Sequence, residues 1–160
     1  MKKLSVFLMF FLSTAWLHAA DPEGFGLWKN AAVKNSRKEL ASKLDDQKFA
    51  WQPLGTYENH YMGISHREGD GSAEVHETQV DIWVVESGEA TLILGGTIVG
   101  PKTIKPHEIR GTSIEGGTTQ QLFAGDIVHI PVTVPHQLKI ASGNIYLSGC
   151  KSRFQIARCG

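Results

Sequence analysis

Two short stretches hold the residue types from which a metal site or an acid–base centre is built. The first runs from Glu74 to Gly88 (EVHETQVDIWVVESG) and reads as a strand, a tight reversal at about Gln79–Val80, and a second strand entered at Asp81. Side chains alternate between the two faces of a strand, so Glu74 and His76 share a face, and a hairpin brings Asp81 back beside them. The second runs from Gly125 to His136 (GDIVHIPVTVPH). It is an apolar strand stopped by Pro131 and Pro135, with a further strand starting at His136. There His136, Leu138 and Ile140 alternate with Gln137 and Lys139, so His136 points inward with the apolar residues. Imidazole supplies neutral nitrogen and carboxylates supply charged oxygen. Glu74, His76, Asp81 and His136 together form a two-nitrogen, two-oxygen donor set able to hold Mn, Zn or Fe with positions left open for a substrate. Each residue also has a plainer reading: His76 as a hydrogen-bonded core histidine, Asp81 as a turn cap, Glu74 as a rim carboxylate. Burying the set without a cation is costly unless its members pair with one another, and that cost favours the ion.

The elements that must position these residues are β-strands. From Phe49 onward, short β-rich runs alternate with Gly-rich breaks, as in a barrel or sandwich. In the run His60–His66, His60, Met62, Ile64 and His66 fall on one face, and Tyr61, Gly63 and Ser65 on the other. If the first face is inward, His60 and His66 add a nitrogen or a general base; Tyr57 and Tyr61 qualify only if they face the interior. Glu77 falls opposite His76 and reads as solvated. His129 points away from Val128 and Ile130 and reads as structural, and His107 as a loop residue. Residues 97–117 are poorly patterned and read as a long surface loop or a lid. Strands are expected at 126–130, 136–140, 144–149 and 153–157. Ahead of the β-rich region, residues 27–44 carry Ala32, Val33, Leu40, Ala41 and Leu44 at helical spacing, which predicts a helix lying against the outside of the barrel with its basic side in solvent.

Met1-Lys2-Lys3, the apolar run Leu4–Leu12 and the small residues Ala19-Ala20 have the layout of a secretory signal peptide, and the run is too short to span a bilayer. The expected organisation is therefore a signal peptide over 1–20, an N-terminal extension with the helix over 21–48, and one β domain over 49–160, in a secreted or periplasmic protein. Removing Lys2 and Lys3 leaves 14 basic against 16 acidic residues, a formal charge of −2, with nothing to suggest a nucleic-acid partner or stable membrane insertion. Cys150 and Cys159 are the only cysteines. Outside the cytoplasm such a pair closes a small loop as a structural disulfide; free thiols are the alternative.

The two stretches resemble the paired motifs of the cupin superfamily. In the second, Gly125, Pro131 and His136 match the pattern, while Thr133 stands where a glycine is usual and Ile140 where an asparagine is often found. In the first, Gly88 matches and His76 falls on the second histidine, whereas Asp81 replaces the usual Glu and Glu74 the first histidine. The resemblance covers residues 50–150. It implies an all-β double-stranded β-helix (jelly-roll) barrel with the N-terminal helix packed outside, a divalent metal in the barrel, and a homodimer. It does not name a reaction. No Ser-His-Asp or Cys-His arrangement and no phosphate-cradling glycine loop is present. Two functions stay open: a metal-dependent oxygenase, isomerase, lyase or decarboxylase acting on a small polar substrate, or a non-catalytic cupin that binds a metal or small ligand outside the cytoplasm. Metal affinity is expected to fall as pH drops through the imidazole range, about 6 to 7.

Overall fold

The computed structural model describes residues 21–153; the segment 1–20 expected as a signal peptide, Cys159 and nearly all of the strand expected at 153–157 lie outside the described residues. A helix, α1 (Asn30–Ala41), is followed by β1 (Phe49–Thr56), β2 (His60–Arg67), β3 (Ala73–His76), β4 (Gln79–Leu94), β5 (Thr97–Val99) and β6 (Lys102–Lys105). Then come β7 (Glu108–Gly111), β8 (Ser113–Glu115), β9 (Thr118–Phe123), β10 (Ile127–Ile130), β11 (His136–Lys139) and β12 (Ile145–Arg153). All pairings are antiparallel.

One strand belongs to both faces of the barrel. The first half of β4 lies between β12 and β10, and β12 continues to β2 and β1. Its second half lies between β9 and β11, and β11 continues to β3, β7 and β6. The turn from one face to the other comes at Glu86–Gly88, where the ladder to β12 slips register and Gly88 takes φ 82°. A bulge and a positive φ let a twisted strand bend without losing its partners. Between the two faces pack Trp83, Val85, Leu92, Leu122, Ile130, Leu138, Ile145 and Leu147. The expectation of an all-β jelly roll with an external helix holds: α1 buries Leu40 against Ala50 and Ile64 on the outer side of β1 and β2. Arg37 of α1 pairs with Glu86 at 2.9 Å, and its carbonyl accepts the Tyr146 hydroxyl at 3.0 Å.

Three expectations are corrected. The reversal after His76 falls at Glu77–Thr78, β4 already starts at Gln79, and β3 and β4 do not pair as a hairpin. At this corner the chain leaves one face and enters the other, pinned by the Thr133 N–H donating to the His76 carbonyl and the Glu77 N–H donating to the His107 carbonyl. Residues 97–117 are no open loop: β6 and β7 extend the face that holds β3, and β5 and β8 form a separate ribbon. Strands this short show no usable periodicity, and neighbours supply their order. His129, read as structural, is exposed beside the exposed Ile127.

Thr133, at the motif's usual glycine position, has φ 65°. A β-branched residue in the left-handed region is strained by about 1–3 kcal/mol. Thr133→Gly is therefore expected to stabilise the protein by about 1 kcal/mol in urea unfolding, the gain being offset in part by glycine's larger entropy loss. Gly88→Ala is expected to cost about 2 kcal/mol or more, because its new methyl group would also collide with the Asn144 carbonyl.

Candidate functional site

Cross-strand register places the chemistry. On one face, His136 of β11 stands directly opposite Glu74 of β3, and Glu74 opposite Arg110 of β7; the next inward pair is His76 and Glu108. On the facing sheet, Tyr61 of β2 stands opposite Lys151 of β12, and Lys151 opposite Asp81 of β4. These rows meet inside the barrel. One donor atom from each of Glu74, His76, Asp81 and His136 lies within 4.8 Å of the others. His136 Nε2 is 3.2 Å from Asp81 Oδ2 and 3.4 Å from Glu74 Oε1, and His76 Nε2 is 3.4 Å from Asp81 Oδ2 and 3.7 Å from Glu74 Oε2. His76, Asp81 and His136 are buried and Glu74 is half-buried.

Both oxygens of Asp81 and Nε2 of His136 are buried and lack a well-oriented hydrogen-bond partner among the described residues. His136 Nδ1 donates to the Val134 carbonyl at 3.0 Å. In the neutral ring this bond fixes the tautomer whose Nε2 lone pair faces the carboxylates, the orientation a metal-ligating histidine needs. Two imidazole nitrogens and two carboxylate oxygens suit a first-row divalent ion such as Mn, Fe or Zn, so the donor set fits the group the fold implies.

Four further residues went unrecognised in the sequence. Glu108 accepts from Lys105 at 2.7 Å and from Arg110 Nε at 2.9 Å, and it lies 3.8 Å from His76 Nδ1. Arg110 also holds Glu74 at 3.0 Å. Lys151 reaches in from β12, with its ammonium 3.2 Å from Asp81 Oδ1 and in contact with His76 Nε2. Lys105, Glu108 and Arg110 were hidden in the stretch without visible pattern. Lys151 was legible in principle, because Ile145, Leu147 and Gly149 set a period-2 inward face that it continues.

His60 and His66 do not join the site, because their face of β2 is the outer one. His60 stacks on Tyr57, and His66 stacks on Tyr146 with Nε2 2.8 Å from Glu68. The opposite face is inward, so Tyr61 lines the cavity together with Ser65 and Arg67. Glu77 stays exposed, paired with His107 at 3.0 Å. Cys150 lies in β12 beside the cavity, and its pairing with Cys159 lies outside the described residues.

Electrostatics follow the geometry. Burial pushes the Glu74 carboxyl up, but its contact with His136 and the charges of Lys151 and Arg110 outweigh this and hold it at about 2. Burial likewise opposes ionisation of Asp81, and contacts with His136, His76 and Lys151 drive its carboxyl well below the usual range. His136 is pushed down by burial and raised more strongly by Asp81 and Glu74, to about 9. Burial, then the charges of Asp81, Glu108 and Glu74, raise the Tyr61 phenol to about 12, so at neutral pH it is a hydrogen-bond donor and not a base.

The cavity above this cluster has a volume of about 290 Å³. Phe49, Trp51, Trp83 and Leu138 give it apolar walls, and Arg67, Lys105, Arg110 and Lys151 give it cationic ones.

No family model matches the chain, and no curated protein does. Solved structures do. The cupin domain of Cnp3 from Schizosaccharomyces pombe superposes with a TM-score of 0.52 at 9% identity, over 68% of this chain and 67% of that one. An RmlC-like cupin from Shewanella frigidimarina gives 0.51 at 17% identity, over 71% and 84%. An uncharacterised protein with a double-stranded β-helix domain from Klebsiella pneumoniae gives 0.51 at 17%, over 68% and 80%. The chain has the cupin fold.

The coupled charges give a pH signature without added metal. His136, raised from 6.5 to about 9, contributes stability that is complete below about 6.5 and is lost as pH rises through about 9. Glu74, lowered from 4.5 to about 2, contributes stability present above about 4.5 and lost as pH falls through about 2. Urea unfolding in EDTA is expected to show maximal stability between these limits, with the alkaline decline abolished in His136→Gln.

Proposed function

We propose that the barrel is a divalent-metal centre in which Glu74, His76, Asp81 and His136 hold the ion beneath a small-ligand cavity. The observation that carries this reading is the convergence of four donor atoms within 4.8 Å from three strands, β3, β4 and β11, with neither oxygen of Asp81 nor Nε2 of His136 in a well-oriented hydrogen bond among the described residues. A bound divalent ion would supply Lewis acidity, and the hard donor set favours Mn or Fe, with Zn also accommodated. Around it this chain places Tyr61 as a neutral donor and Arg110 as the group that orients Glu74. Those features suit an enzyme acting on a small polar molecule, with Tyr61, its phenol held protonated, as the hydrogen-bond donor to a substrate oxygen. A cupin that only binds a metal or small ligand would use the same donors without needing Tyr61. Tyr61→Phe separates them: loss of turnover with unchanged metal content marks the enzyme.

The position of Lys151 favours a second reading, in which its ammonium is itself the resident cation of an internal ion-pair network. Ammonium and divalent ion compete for the same Asp81 oxygens and His76 nitrogen. Elemental analysis of the purified protein decides between the readings. The first expects one equivalent of metal, lost in His76→Ala and His136→Ala, partly kept in Asp81→Asn, and bound about tenfold or more tightly in Lys151→Met. Absence of metal from both wild type and Lys151→Met sinks it. With His136 raised to about 9, metal uptake must displace a proton over a wider and more alkaline range than the 6 to 7 expected from an ordinary imidazole.

Export and pairing of two copies belong to the same proposal. The segment 1–20 has a leader's layout, and the outer face of β4 and β10 turns Ile82, Val84 and Ile127 outward as neighbours, with Ile127 74% exposed. Light scattering is expected to give a dimer for the chain lacking residues 1–20 and a monomer for its Ile127→Glu variant.

A further inference from the structure

We infer that the cavity selects a small organic carboxylate and that Arg67 is the residue that receives the carboxylate group. The inference rests on the reading of the cavity as a ligand site, and it names the ligand's class.

Arg67 sits on the inward face of β2, in the same row as Tyr61 and Ser65, and is half-buried. Its guanidinium is held by packing. Cζ lies 4.5 Å from the centre of the Phe49 ring, and a methyl group built on Gly71 would stand 3.6 Å from it. Its polar contact among the described residues is a single long bond from Nη1 to the Asp70 carbonyl, 3.3 Å. The other cations lining the cavity each have a carboxylate within 3.2 Å: Lys105 and Arg110 share Glu108, Arg110 holds Glu74, and Lys151 holds Asp81. Arg67 has no ion pair with any described residue. Burial opposes its charge, the charges of Glu74 and Asp45 partly offset this without forming an ion pair, and Arg110 adds a smaller repulsion.

The charge count agrees. Four cations, Arg67, Lys105, Arg110 and Lys151, face three carboxylates, Glu74, Asp81 and Glu108. Counting these Lys, Arg, Asp and Glu side chains alone, the surplus is one positive charge, and a divalent ion would add two. A half-buried guanidinium with free donors and a fixed plane is built for bidentate recognition of a carboxylate. Phosphate would use the same donors, but the walls of Phe49, Trp51, Trp83 and Leu138 call for an apolar body attached to the anion. About 290 Å³ suits a single ring or a short chain, not a polymer segment.

Benzoate and its neutral isostere benzamide are the probes, titrated calorimetrically into the protein in EDTA and, separately, after loading with Mn²⁺. Inorganic phosphate is the third ligand. Benzoate is expected to bind at least about tenfold more tightly than benzamide or phosphate in both states, since charge-assisted bonds are worth that or more. Arg67→Met should erase the preference at unchanged benzamide affinity, and Arg67→Lys should keep part of it. Thermal unfolding of both variants reports their folding; should Arg67→Met not fold, the wild-type preference and the Arg67→Lys loss still decide. Failure of benzoate to bind, equal binding of benzamide, or full benzoate affinity in Arg67→Lys overturns the inference. A protein without metal that still prefers benzoate loses the metal proposal alone; one that holds metal and shows no preference loses this inference alone.

Discussion

The structure depends on keeping β4 unbroken for sixteen residues while the barrel turns a corner around it. Every backbone group of a strand buried on both edges must find a partner, or the fold forfeits about 1–3 kcal/mol for each group left bare. β4 meets that demand with β12 and β10 on its first half and β9 and β11 on its second. The bend at Glu86–Gly88 joins the two sets. Asp81 rides on the first half, and the second half carries β11 and so His136. One strand thus fixes the separation between a carboxylate on one sheet and an imidazole on the other.

What fills that separation is a balance of charge. Asp81, Glu74 and Glu108 lie inside a barrel whose apolar core begins at Trp83 and Leu138. Buried carboxylates need cations close by, and Lys151, Arg110 and Lys105 supply them within the chain. The consequence is a site that is polarised but nearly neutral. A divalent ion in place of the Lys151 ammonium would make it cationic. Arg67 stands outside this balance, with an aromatic face and one carbonyl as its company.

Much of this could be read from residue order. Glu74 and His76 share a face because strands alternate, and Pro131, Pro135 and the alternation of His136 with Leu138 and Ile140 marked a break followed by a strand delivering a histidine to the interior. The apolar spacing around Leu40 placed a helix outside. Other features depended on which strands become neighbours, and no local pattern encodes that. His136, Glu74 and Arg110 form a single row only through two successive registers. The reversal after His76 was misplaced because neither Glu77 nor Thr78 carries the usual turn chemistry; distant carbonyl contacts hold the corner instead. The inward face of β2 was undetermined from its own residues, since His60–His66 offers a plausible interior on either side until α1 claims Ile64.

β12, the last of the described strands to leave the ribosome, lies between β2 and β4 in the middle of its sheet. Until it arrives, the nascent chain holds two long strands with facing open edges, the condition that favours mispairing with other chains. Barrel closure thus waits for β12 and is built from contacts distant in sequence, a recipe for slow folding. The same strand delivers Lys151 to Asp81. An Asp81 carboxylate without its ammonium and the open edges of β2 and β4 therefore exist together until β12 is in place, and its insertion resolves both.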